Sequence, residues 1–212
     1  MSGHSLNPKK RYSARTLAVG AVFCPSCGRR LADRDSDRCP ACGFVGEDTM
    51  KMFRAVAPPL EVISDHARLF SENDKIRILK SIRKIRRAFP QIHWRIATAD
   101  LQGNDDVGLF SFWLLNVSPL GQDEEPDLRP WTVLLVILAD GDLSVTPGYA
   151  AEVWLSGHDW SRLLSDLHGE LRQRNFSRGI GRFLSDGGRI LENAWRIVKR
   201  RTQNNGNTRD RS

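Results

Sequence analysis

The most regular pattern in the chain lies between residues 71 and 89, where Ile76, Leu79, Ile82, Ile85 and Phe89 recur at helical spacing. The positions between them carry Lys75, Arg77, Lys80, Arg83, Lys84, Arg86 and Arg87. An amphipathic helix with a basic outer face is predicted over Ser71–Phe89. Ser71 is placed to cap it, Asp74 imitates a capping box with a shorter acid, and Pro90 stops it. Ile92–Thr98 reads as a strand running into Asp100, and Asp105–Asn116 as a helix made heavy by Phe110, Phe112 and Trp113. Gly121–Pro130 is a polar, acidic loop. Thr132–Leu138 is an unbroken β-branched and leucine run, the mark of a strand buried on both faces.

Asp140-Gly141 is a hairpin signal, with Leu143–Thr146 as the returning strand. Trp160, Leu163, Leu164, Leu167 and Leu171 form one further helical stripe. Ile180, Phe183, Leu184, Ile190, Leu191, Ala194 and Ile197 form another. Helix, strand, helix, hairpin, helix, helix predicts an α/β class domain: a small central sheet sandwiched by helices.

Outside this region the periodicity fades. Residues 1–21 are polar and basic and read as a disordered arm, followed by a cysteine module over 22–45. Residues 46–59 end in Ala57-Pro58-Pro59 and read as a linker, because consecutive prolines favour extended backbone. The α/β domain is expected over 60–200. Residues 201–212 offer no apolar side chain to bury and are expected as a disordered basic tail.

At 212 residues the chain has room for one ordinary domain and a small appended module. Its longest apolar run, Trp131–Ala139, is far short of the roughly 20 residues a bilayer helix needs, so an integral membrane protein is not expected. The start, through Pro8-Lys9-Lys10-Arg11, lacks the apolar stretch of a secretory signal, and a cytoplasmic location is expected. A net charge of +7 permits an acidic partner without specifying one.

All four cysteines fall in one short stretch as two Cys-x-x-Cys pairs. In a reducing compartment that pattern points to metal rather than to disulfides. Cys24-Pro25-Ser26-Cys27-Gly28 and Cys39-Pro40-Ala41-Cys42-Gly43 are near duplicates. Each proline stiffens a turn, and each glycine permits a positive φ beside the metal. A redox dithiol would not need the second pair. Cys24, Cys27, Cys39 and Cys42 are therefore expected to hold a structural zinc, closed to water, in a ribbon whose connecting loop is shorter than usual. Arg29, Arg30, Arg34 and Arg38 surround it.

Val62–Ser71 resembles the opening of the TPM domain, the TPM phosphatase or thylakoid-lumen phosphatase-like family: an aspartate, a small residue, a leucine and a capping serine before a long helix. Phe110-Ser111-Phe112-Trp113 resembles the family's aromatic segment, Val133–Leu138 its buried strand, Pro147-Gly148-Tyr149 its glycine-tyrosine turn, and Asn175–Gly179 the start of its last helix. The likeness spans about residues 60–195. Ala150 departs from the family's second glycine, and Trp154–Asp159 fits loosely. The resemblance implies an α/β/α sandwich. Among members it implies photosystem II maintenance in plants, membrane-associated bacterial proteins, and weak acid phosphatase activity with calcium near an acidic pocket.

Asp65, Asp100 and Asp140, with Asp142, lie before the first helix, at a strand end and around the hairpin. Ligands gather at strand carboxyl ends in open α/β sheets, so Asp65, Asp100 and Asp140 are candidates for calcium. The same acids also suit ordinary turns and caps. No phosphate-binding glycine loop occurs, and no cysteine lies outside the ribbon to act as nucleophile. His4, His66, His93, His158 and His168 show no ligand spacing, and His93 and His168 read as framework residues.

The expectation is a non-catalytic binding or scaffold protein with a protein partner. One alternative is a weak metal-dependent acid phosphatase. Another is a nucleic-acid-binding protein using the basic helix, the ribbon arginines and Lys199-Arg200-Arg201. No aromatic platform is interleaved with those charges.

Overall fold

The structure is a computed structural model describing residues 23–31, 38–101, 106–120, 126–152 and 157–209. Side chains at 126–127, 157–159 and 197–209 are not described. The expected arm at 1–21, the residues 210–212 and the first half, 121–125, of the expected acidic loop lie outside these ranges, and the second half of that loop is a 3-10 helix, Pro126–Trp131.

Four strands form one sheet in the order β1-β2-β3-β4: β1 Ile63–Asp65, β2 His93–Ala99, β3 Thr132–Leu138 and β4 Leu143–Pro147. The first three are parallel, and β4 returns antiparallel beside β3. β3 has the predicted limits, and all seven of its residues are buried. Its pleat sends Val133, Leu135 and Ile137 to one core and Leu134, Val136 and Leu138 to another.

The first core is covered by three helices, α2 Glu72–Ala88, α5 Gly157–Arg172 and α6 Phe176–Arg209, while the single-turn α4, Tyr149–Glu152, follows β4. Trp94, Trp160 and Phe183 meet at its centre, with ring centroids 5.7–5.8 Å apart. The second core lies under α3, Val107–Val117, which Asp106 caps through the Gly108 and Leu109 N–H groups. Residues 110–115 of α3 are buried in an unbroken row. A helix apolar on every side needs cover on both. The sheet supplies one side.

Gly148 marks where strand packing leaves no room. A Cβ there would lie 2.1 Å from the Arg129 carbonyl oxygen, and its N–H donates to Thr132 O at 2.7 Å. Arg129 in turn donates to Leu115 O and Ser118 O, at 2.5 Å each, tying down the carbonyl end of α3.

Three expectations are corrected. The buried stripe of α2 is Ile78, Ile82 and Ile85, while Ile76 is 64% exposed. Both phases satisfy helical spacing, and contact with α6 selects the second. The stretch 46–59 is not a bare linker: it carries α1, Asp48–Met52, and Phe53, whose ring lies 5.4 Å from those of Phe110 and Trp113. Ala57 joins the second core. Finally, α6 continues to Arg209 through most of the expected tail. A helix already nucleated extends at one hydrogen bond per added residue, without apolar contacts.

Candidate metal centre

Each cysteine knuckle is a small hairpin built on the same backbone bonds. Cys24 N–H donates to Arg29 O and Gly28 N–H to Cys24 O, as Cys39 N–H does to Phe44 O and Gly43 N–H to Cys39 O. Gly28 and Gly43 take φ of 71° and 75°, the left-handed conformation that glycine adopts without strain. Antiparallel bridges Phe23–Arg30 and Arg38–Val45 close the hairpins.

The two knuckles face one another. Cys24 Sγ lies 3.7 Å from Cys42 Sγ, and Cys27 Sγ lies 3.8 Å from Cys39 Sγ. All four ligand atoms fall within 4.8 Å of one another. These separations are far too long for disulfides, and all four cysteines are free. A tetrahedral ion with metal–sulfur bonds of about 2.3 Å sets its sulfurs about 3.8 Å apart. The four thiols are thus spaced to hold one metal ion.

Their electrostatics agree. Burial drives the Cys24 thiol up to about 12. Burial also opposes the Cys39 thiolate, but the Ala41 and Cys42 N–H groups and the neighbouring thiols outweigh it and bring Cys39 down to about 6. Of these two buried thiols, Cys39 is thus favoured as the thiolate and Cys24 is held as the thiol. A bound cation removes the resistance of Cys24 to ionising.

Phe44, directly after the second knuckle, fixes the module to the domain. Its ring meets Phe112 of α3 edge-on, with centroids 6.2 Å apart and planes at 72°. Cys24, Cys39, Leu31, Phe44 and Phe112 form one buried cluster, with Leu109 packed against it. Cys27 and Cys42 remain exposed. Sequence spacing located the thiols but not this seat. The one available signal is that Phe44 stands where the first knuckle has Arg29. Among the ribbon arginines, Arg29, Arg30 and Arg38 are exposed, and Arg34 lies outside the described residues.

The acidic set expected for calcium does not assemble. Asp65, Asp100 and the Asp140 turn do sit at the carboxyl ends of β1, β2 and β3, as strand order requires. Their carboxylates do not meet: among the described residues, only the four cysteines bring three such ligand atoms together. The Asp65 side chain, 7% exposed, accepts from Leu69 N–H, Phe70 N–H and the Thr98 hydroxyl, and Lys75 Nζ lies 3.8 Å away. It is a satisfied turn residue. Asp100 is exposed, and Asp140 accepts from the Asp142 N–H in its own turn.

His66 is exposed, and His93 is half-buried at the start of β2. His168 is half-buried near the end of α5. His4 and the side chain of His158 lie outside the described residues, as do those of Lys199, Arg200 and Arg201 on α6. No described helix is long and apolar enough to cross a membrane.

No protein-family model matches the chain, and no curated protein does. Among solved structures, it is similar to the solution NMR structure of the N-terminal domain of a protein from P. gingivalis. The two are 18% identical, the match covers 71% of this chain and 93% of that one, and the TM-score is 0.46.

Proposed function

We propose that the chain is a TPM-domain-like binding protein that uses a structural zinc ribbon to complete its fold and acts through a protein partner rather than by catalysis. The observation that carries this reading is the four-sulfur cage, whose edges suit a thiolate-bound zinc and leave no corner for water. The element order along the TPM-like region supports the family reading: a capped helix after β1, an aromatic helix, a buried strand and a glycine-tyrosine turn. Exposed Met50, Met52 and Val56, just after the ribbon, support a contact role. The four free thiols suit a reducing compartment such as the cytoplasm.

Metal analysis of protein purified without chelator tests the zinc, with about one ion per chain expected for a closed tetrahedral site. Protein lacking zinc would end the assignment. Incubation with a generic phosphate ester tests the second half, and turnover near ~1 s⁻¹ would place the chain among enzymes instead.

A further inference from the structure

We propose that the cavity at the carboxyl edge of β3 binds a small ligand through a doubly charged oxyanion, such as that of a phosphate monoester, held by Arg68, Arg172 and Arg174. The proposal rests on the reading of the chain as a binding protein and supplies the chemistry of one ligand.

The place is set by topology. The chain leaves β1 for the face covered by α2 and leaves β2 for the face covered by α3. In open α/β sheets, ligands gather outside the carboxyl ends of the strands. A cavity of about 270 Å³ lies at this edge. Arg68 reaches it from the loop after β1, Asp140 from the β3–β4 turn, and His168, Arg172 and Arg174 from the end of α5. Its size suits one phosphate with a small organic body, not a polymer.

Charge decides the ligand class. Three guanidiniums line the cavity against one carboxylate, and Asp140 already accepts from the Asp142 N–H. Among the described residues, Arg68, Arg172 and Arg174 make no ion pair or side-chain hydrogen bond. By contrast, Arg178 and Arg182 approach Glu170, and Arg189 pairs with Asp186. Like charges around one concavity repel, and an oxyanion accepting from several guanidinium forks relieves that repulsion. Burial, then Arg172, holds His168 at the cavity wall below the usual histidine range against the pull of Asp142.

Backbone conformation marks the same residues. Among the described residues, Arg68 and Arg174 are the two non-glycine positions with positive φ, 53° and 59°. Arg174 ends α5 in a Schellman turn: its N–H donates to Leu171 O and that of Asn175 to Glu170 O. Glycine is the residue this position prefers, and arginine occupies it at a conformational cost. Held strain of this kind gathers at ligand sites. Cations in the last turn of α5 also complement the helix dipole. That accounts for Arg172 but not for Arg68, which comes from a segment a hundred residues earlier.

The test is calorimetric titration of the zinc-loaded full chain with inorganic phosphate and with glycerol phosphate, against chloride at matched ionic strength. Saturable binding of both phosphates is expected, weakened roughly tenfold or more by Arg68→Gly and by Arg174→Gly. Arg174→Gly should melt no lower than the parent, since glycine relieves the strain, so lost affinity cannot be put down to misfolding. Heat indistinguishable from chloride, or unchanged affinity in both glycine variants, overturns the site while leaving the zinc and scaffold reading intact. Release of phosphate from the ester would overturn the non-catalytic reading, and arginine-dependent saturation would still support the site.

Discussion

The two faces of the sheet are covered in different ways. One lies under α2, α5 and α6, whose leucines and isoleucines, with Trp94 of β2 against Trp160 of α5, form a large continuous core. The other lies under α3 alone, and the outer side of α3 is sealed by Phe53, Phe44 and the cysteine knuckles. The first face is sustained by apolar area, which scales with helix length. The second rests on a module too small to fold on hydrophobic burial, whose four thiols are spaced to hold a metal in place of the missing core. On the zinc reading proposed above, a single fold thus contains one face whose stability is intrinsic and one whose stability is conditional on the ion.

The largest expected effect separates these faces most sharply. Replacing Cys39 with Ser, or stripping the metal with chelator, should abolish a site of the kind that contributes about 10–16 kcal/mol in isolated zinc peptides. Because the ribbon seats on Phe112, the melting temperature of the whole chain should fall, measured by circular dichroism with and without chelator. An unchanged melt of the sheet and its helices would show that the two faces are independent.

Next come paired truncations in the two cores. Phe112→Ala should cost about 3–5 kcal/mol and Leu164→Ala about 2–5 kcal/mol in denaturant melts. Only Phe112→Ala should speed zinc loss to a colorimetric chelator. Equal rates for both variants would break the link between α3 and the ribbon.

A smaller effect concerns pH. Burial, then Arg86 and Arg95, holds His93 below the usual histidine range; burial and Arg172 do the same for His168. Both therefore bind a proton more weakly in the folded chain than unfolded. Their contribution to stability is full above the unfolded value of roughly 6.5 and is lost as pH falls through it toward the depressed folded values. Thermal melts from pH 8 to pH 5 should decline through that window, and His93→Gln should flatten the decline.

The smallest effect is expected at Ile76. Exposed on α2, Ile76→Lys should change stability by no more than about 0.5 kcal/mol, whereas Ile82→Ala on the same helix should cost about 2–5 kcal/mol.

These residues also show what a sequence can display. Thr132–Leu138 and the stripe Trp160–Leu171 were readable because each has one reasonable periodicity and a burial pattern that follows it. The α2 stripe was not, because Ile76, Ile78 and Leu79 offer two phases, and packing against α6 chooses between them. The cysteines were readable because their ligand geometry is written in spacing within a single short segment. The strand-edge acids had the right positions and the wrong directions: register places Asp65 beside Thr98, and the carboxylate turns into its own loop. Arg68 and Arg174 carried no local signal for a shared cavity. Their meeting depends on strand order, and the one trace in sequence is an arginine where a helix end prefers glycine.

The burial of α3 on every side has a consequence for the protein's lifetime. Without the ribbon seated, Leu109, Phe112 and the rings around them form an apolar surface of the kind that chaperones and proteases recognise. On the zinc reading, supply of metal would then set how much of the chain survives, not merely how well it is folded. Starvation for that ion would then lower the protein's abundance before any partner or ligand was involved, and the cysteine knuckles would act as a gauge of metal supply read out by turnover of the whole chain.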